Sequence, residues 1–168
     1  ETSIISNRAD WGGGVYAWSG NINTSNATIS SNTAGEDGGG VLCGNSAFNA
    51  IDTTISLNTA GGGGGGVYAE RGTFNATETS IISNRADLGG GVYAWNGNFN
   101  TANTTISSNT GEYGGGVALY GSSVFNAIDT TITSNEATRN GGGVYAYKGT
   151  INTSNATIWF WPASPQRT

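Results

Sequence analysis

The chain has 168 residues, with 29 Gly, one Cys, no His and no Met, 10% charged residues and a net charge of −5. That length fits one domain, but a globular enzyme usually carries about 25% charged residues. The absent His excludes a His-based triad or a His-ligated metal, the acidic balance without a basic cluster argues against a nucleic-acid partner, and no apolar run near about 18 residues offers a transmembrane helix or membrane insertion.

The opening stretch ETSIISNRADWGGGVYAW returns at residue 78 with only Trp11 changed, to Leu88. Within it lies a shorter period of about 26 residues. One Asn recurs at Asn7, Asn32, Asn58, Asn84, Asn109 and Asn135, and a Val after the glycines recurs at Val15, Val41, Val67, Val92, Val117 and Val144. Three such units make a 77-residue super-repeat, present as residues 1–77 and 78–154. Self-similarity at this period marks a stacked architecture in which each unit covers its neighbour. Residue 1 falls inside the repeat, as expected of a processed product or a piece of a longer array.

Each unit opens on a first segment of the form T-x-I. Thr and Ile favour strands, and the two-residue alternation turns Ile4, Ile29, Ile55, Ile81, Ile106, Ile132 and Ile158 to one face. The recurring Asn follows, and the spacing predicts an inward ladder with each amide bonded to the next. The GGG block supplies corners that need positive φ. A second strand turns Val15 with Ala17, Val41 with Cys43, and Val92 with Ala94 inward. A third centres on Ile22, Phe48, Phe74, Phe99, Phe125 and Ile151. No stretch has helical periodicity. The expected fold is all-β: a parallel β-helix of about six rungs with three strands per rung, forming one domain over residues 1–158 and leaving 159–168 as a non-repeat tail.

The stretches TISSNTAGEDGGGVL, TSIISNRADLGGGVY and TITSNEATRNGGGVY resemble the right-handed parallel β-helix repeats of large bacterial and algal surface proteins. They are also similar to the chlamydial polymorphic outer-membrane family, which is marked by GGA-I/V and F-x-x-N. The first mark stands here as GGGV. The second is not reproduced, because FNA at Phe48, Phe74 and Phe125 puts Asn directly after Phe. The resemblance covers residues 1–158. It implies the right hand of the helix, in keeping with the chirality of parallel crossovers, and an extracellular or cell-surface location.

No catalytic or metal constellation emerges, and no cofactor is expected. Polysaccharide lyases on such a fold group Asp residues for calcium beside a basic residue. The acids here are scattered: Asp10 and Asp87 share one repeated turn, Glu36, Asp37 and Glu112 lie in equivalent turns, and Asp52 and Asp129 recur one super-repeat apart. Solvated turn residues account for all of them. The GGG blocks lack the Lys and the helix of a phosphate loop, and Cys43 replaces Ala in an inward column as an unpaired thiol.

The outward residues carry the remaining signals. Asn23, Asn26, Asn75, Asn103, Asn152 and Asn155 sit in N-glycosylation sequons, and Asn23, Asn75 and Asn152 should face out because each follows an inward hydrophobe. The second strand points Tyr16, Trp18, Tyr68, Tyr93, Trp95, Tyr120, Tyr145 and Tyr147 outward, as a contact strip for another chain or for the flat faces of sugar rings. The first strand presents Thr28/Ser30, Thr54/Ser56, Thr105/Ser107 and Thr131/Thr133, an ice-binding type of ladder that Ser3/Ile5 and Ser80/Ile82 interrupt. In the tail, Pro162 and Pro165 oppose strand pairing, and Trp159, Phe160 and Trp161 read as a hydrophobic cap or a subunit junction. These features favour a non-enzymatic structural or interaction solenoid that stacks head to tail with itself. A carbohydrate-binding or lyase-like module is the first alternative and an ice-binding solenoid the second.

Overall fold

The structure, a computed structural model, describes residues 1–159. Every element is a β-strand or a turn, and every strand pair is parallel, so the chain is a β-solenoid of about six turns. The register is the one that the sequence period dictates. Ile4, Ile29 and Ile55 pair in line, as do Val15, Val41 and Val67, and Phe48, Phe74 and Phe99. A residue paired with its repeat equivalent faces the same way, so each inward column is a stack of like side chains.

The Phe and Ile strands form one eleven-stranded sheet, bent at a corner through which Ile22–Ser30 and Ala47–Ser56 run unbroken. The Val strands form a separate six-stranded sheet, one strand per turn. A fourth, shorter ladder joins the three expected strands. It comprises Arg8–Ala9, Thr33–Ala34 and Thr59–Ala60, continues through bridges at Arg85, and resumes in Thr110–Tyr113 and Glu136–Asn140. Its residues are too few to show an alternating pattern in sequence; the small side chains of Ala34, Ala60 and Ala86 hold it together.

The corners explain how so regular a coil closes. Left-handed backbone occurs in four columns, one residue of each per turn. The first glycine of each GGG block makes one column: Gly12, Gly38, Gly64, Gly89, Gly114 and Gly141. The other three are almost free of glycine: Ser6 to Ser134 after the Ile strand, Ser19 to Lys148 after the Val strand, and Asn26, Asp52, Glu78, Asn103, Asp129 and Asn155 between the Phe and Ile strands. The sequence places positive φ on the GGG glycines alone, whereas only the first of each block adopts it. The second is required for close approach instead: a Cβ on Gly13 would lie 2.5 Å from the carbonyl oxygens of Gly39 and Thr33.

The core runs the length of the coil. Ile29, Ile55, Ile81, Ile106 and Ile132 are fully buried beside Phe48, Phe74, Phe99 and Phe125. The Phe rings stack at 4.8–4.9 Å with planes within 7° of parallel, the rung spacing itself, and each such pair adds about 0.5–1.5 kcal/mol beyond burial. Cys43 is buried in the Val sheet and its Sγ donates to the Tyr68 carbonyl. The Asn column is the inward ladder the spacing predicts. Asn32, Asn58, Asn84, Asn109 and Asn135 are buried, and each of Asn32, Asn58, Asn84 and Asn109 donates to Oδ1 of the next at 2.9–3.0 Å. The second amide proton goes to an Ile carbonyl, as Asn84 does to Ile55, so both amide protons of Asn32, Asn58, Asn84 and Asn109 are paired.

Candidate functional site

A parallel coil with a filled core leaves its chemistry to the outer faces. The Val sheet carries two outward columns with different fates. The first reads Tyr16, Leu42, Tyr68, Tyr93, Ala118, Tyr145. Its middle is not a contact strip: Leu42, Tyr68, Tyr93 and Ala118 are buried in a second apolar cluster with Leu88 and Tyr120 against it. The loops between the Asn ladder and the GGG blocks fold across this column, so that a side chain at Gly63 would collide with the Tyr93 ring. Tyr68 and Tyr93 stack at 5.0 Å. Burial, reinforced for Tyr68 by the charges of Glu70 and Asp37, raises both hydroxyl pKa values, that of Tyr93 to about 12. Alternation gives the direction of a side chain but not what a loop lays over it.

The second column, two residues along, reads Trp18, Gly44, Glu70, Trp95, Tyr120, Tyr147; Gly44 is buried in it and Tyr120 packs against the apolar cluster. Trp18, Trp95 and Tyr147 are about half-exposed. Tyr120 lies 5.7 Å from both Tyr145 and Tyr147. Tyr145 also meets Tyr113, and Arg139 sits over the Tyr113 ring.

The outer side of the Phe sheet holds a second amide ladder that sequence reasoning missed. Asn49, Asn75, Asn100, Asn126 and Asn152 each donate to Oδ1 of the preceding member, beginning with Asn23, at 2.7–2.8 Å. The signal lay in the Asn that follows the inward hydrophobe in every unit. The sequon residues therefore divide. Asn75 and Asn152 give an amide proton to this ladder, and Asn155 gives one to Asp129. Asn23 stands at the ladder's start as an acceptor, while Asn26 and Asn103 are exposed at left-handed corners. A shallow groove of ≈ 430 Å³ runs beside Asn75, Asn100 and Asn126, where Thr77 and Ala102 are shorter than Ile128.

The variable loops enclose a depression of ≈ 160 Å³, lined by Arg85, Asp87 and Glu112 among others. Asp52 and Asp129 sit apart at exposed corners. The pKa of Asp37 is raised: burial raises it, the Gly63 N–H opposes that, and Glu36 and Glu70 add to it. Among the described residues no three His, Cys, Asp or Glu side chains gather as a metal site. Trp159 continues the Ile sheet, its N–H donating to the Ile132 carbonyl, and it faces out at 67% exposure. It therefore does not cover the core, because it falls one residue past the inward Ile158. Phe160 and Trp161 lie outside the described residues.

Fold and faces together define a β-helix repeat protein whose turns are nearly interchangeable. Residues 52–70 and 129–147 match the Chlamydia polymorphic membrane protein repeat. Each matched segment begins at the left-handed Asp corner and runs through the Ile strand, the Asn ladder and the GGG block to the Val strand. The chain is thus a β-helix repeat protein similar, in these two segments, to the repeats of polymorphic membrane proteins, a likeness that points to a surface or outer-membrane-associated protein. No curated protein and no solved structure matches it.

Proposed function

We propose that the chain is a non-enzymatic structural solenoid of a cell surface or extracellular fibre, and that copies join head to tail along the solenoid axis. The repeat register supports this reading. Each turn pairs with the next through equivalent residues, Ile81 with Ile106, Val92 with Val117 and Phe99 with Phe125, so the face of one turn is complementary to that of another. Stacked in this way Tyr93 is 8% exposed, against 54% for its equivalent Tyr16. A turn of a second copy, set before the first in the register of the third, would continue the same pairing.

The sixth turn is the chain's own candidate for that place, since the two family-repeat segments fall in the third and sixth turns. Such a contact joins different surfaces, and if it does not close into a ring it grows into a filament. Trp159 would stand at the junction. The test is sedimentation and electron microscopy of the whole chain over a range of concentrations. Concentration-dependent rods are expected, shortened by Tyr16→Lys or by deletion of residues 159–168 with the β spectrum in circular dichroism unchanged. A protein that stays monomeric at high concentration overturns the proposal.

A further inference from the structure

We infer that the row Trp95, Tyr120 and Tyr147 is a binding platform for a neutral, unbranched β-linked glycan lying along the solenoid axis. The inference stands apart from end-to-end assembly and concerns the side of the coil. The three residues are direct partners in adjacent strands, Trp95 with Tyr120 and Tyr120 with Tyr147. They form the one stretch of the column where aromatic follows aromatic over three turns. Trp18, by contrast, is followed by Gly44 and Glu70, and its ring leans over Gly44.

Exposure is selective. In the neighbouring column loops bury Tyr68 and Tyr93, yet Trp95 remains 43% and Tyr147 52% exposed. The aromatic face carries a negative quadrupole, which attracts the weakly positive C–H groups on the flat side of a pyranose. Polar groups flank the row where sugar hydroxyls would project. Asn96 is exposed and accepts the Ser122 N–H through Oδ1, and no hydrogen bond engages its amide protons. The Lys148 ammonium lies 5.4 Å from the centre of the Tyr147 ring. Glu70 precedes Trp95 in the same column.

Size decides between a glycan and a protein partner. Trp95 and Tyr147, aromatic side chains of about 150–250 Å² each and about half-exposed, present roughly 200 Å², with the less exposed Tyr120 between them. A stable protein interface takes about 800 Å² from each side. A sugar chain needs only ring-sized contacts repeated along a line, and rungs about 4.8 Å apart repeat in that way. The net charge of −5 disfavours an acidic polysaccharide and leaves a neutral one.

The test is titration of the whole chain with cellohexaose and with chitohexaose, followed by tryptophan fluorescence and calorimetry. Binding of at least one is expected. Trp95→Ala and Tyr147→Ala should each weaken it tenfold or more, Trp95→Phe should retain most of it, and Trp18→Ala should leave it unchanged. Trp18, Trp95 and Tyr147 are all surface-exposed, and circular dichroism verifies that each variant is folded. The proposal fails if neither hexasaccharide binds at millimolar concentration, or if the Trp95→Ala, Tyr147→Ala double variant binds as the parent does.

Discussion

Asn58 donates both its backbone N–H and its side-chain amide to Oδ1 of Asn84, each at 3.0 Å, and gives its second amide proton to the Ile29 carbonyl. One buried residue thus ties three successive turns. Asn84→Ala removes the acceptor from two buried donors, each costing about 1–3 kcal/mol when unsatisfied. The expected loss is roughly 2–6 kcal/mol in urea unfolding. The outer ladder is the control: Asn75 is only partly buried, water can replace its partners, and Asn75→Ala should cost less than about 1 kcal/mol. Equal losses at the two sites would show that burial does not set the value of these ladders.

Ile106 has no exposed surface and sits mid-column between Ile81 and Ile132. Ile106→Val should cost about 0.5–1.5 kcal/mol and Ile106→Ala about 2–5, the larger loss reflecting a cavity that stacked strands cannot collapse. Ile106→Asp would place an unpaired charge in the column and should abolish folding, read as loss of the β spectrum in circular dichroism.

Much of this was legible because each rung repeats one sentence. The Ile, Val and Phe columns and the inner Asn ladder follow from period and alternation, since a register that pairs Asn58 with Asn84 also pairs every other residue with its equivalent. What the period could not give was contact across the columns. Tyr68 and Tyr93 point outward as alternation requires, but the loop that buries them has no periodic signature. The non-glycine corners at Asp52 and Ser83 were hidden because Ser and Asp are ordinary turn residues, without the marking that a glycine gives. The outer Asn ladder is visible as a spacing, but Asn23, Asn75 and Asn152 read singly as sequons and the non-sequon Asn49, Asn100 and Asn126 between them carry no separate signal.

The glycines allow a paired test of close approach. A Cβ on Gly65 would lie 2.5 Å from the Arg85 carbonyl oxygen, a backbone atom of the next turn that cannot swing aside. Gly65→Ala should therefore split the stack and lower the melting temperature sharply. Gly20 has nothing within 4 Å of the same position. Gly20→Ala should be neutral, or stabilising by about 0.4–1 kcal/mol through the unfolded chain.

Cys43 reports on opening of the coil. Burial pushes its thiol up to about 12, and the thiolate is the reactive form. At pH 8 the native protein should resist a thiol reagent that labels the urea-unfolded chain within seconds. Labelling of native protein at the unfolded rate would mean that the Val sheet opens locally at that turn.

Asp37 gives the stability of the solenoid a pH dependence with a definite sign. Its Oδ1 accepts the Gly63 N–H at 2.6 Å, which favours the carboxylate, but burial and the charges of Glu36 and Glu70 outweigh that bond and raise the pKa above 3.8. The folded chain then holds this proton more tightly than the unfolded chain does. The contribution to stability is fully present below pH 3.8 and is lost as pH rises through the raised folded value. Asp37→Asn keeps the acceptor for Gly63 and removes the half-buried charge. It should raise the urea midpoint at pH 7, with an advantage that shrinks on acidification and is gone once the carboxyl is protonated in both states. A midpoint lowered at pH 7 would mean that the carboxylate charge is stabilising where it sits, and an undiminished gain at acid pH would mean that the charge is not what the substitution relieves.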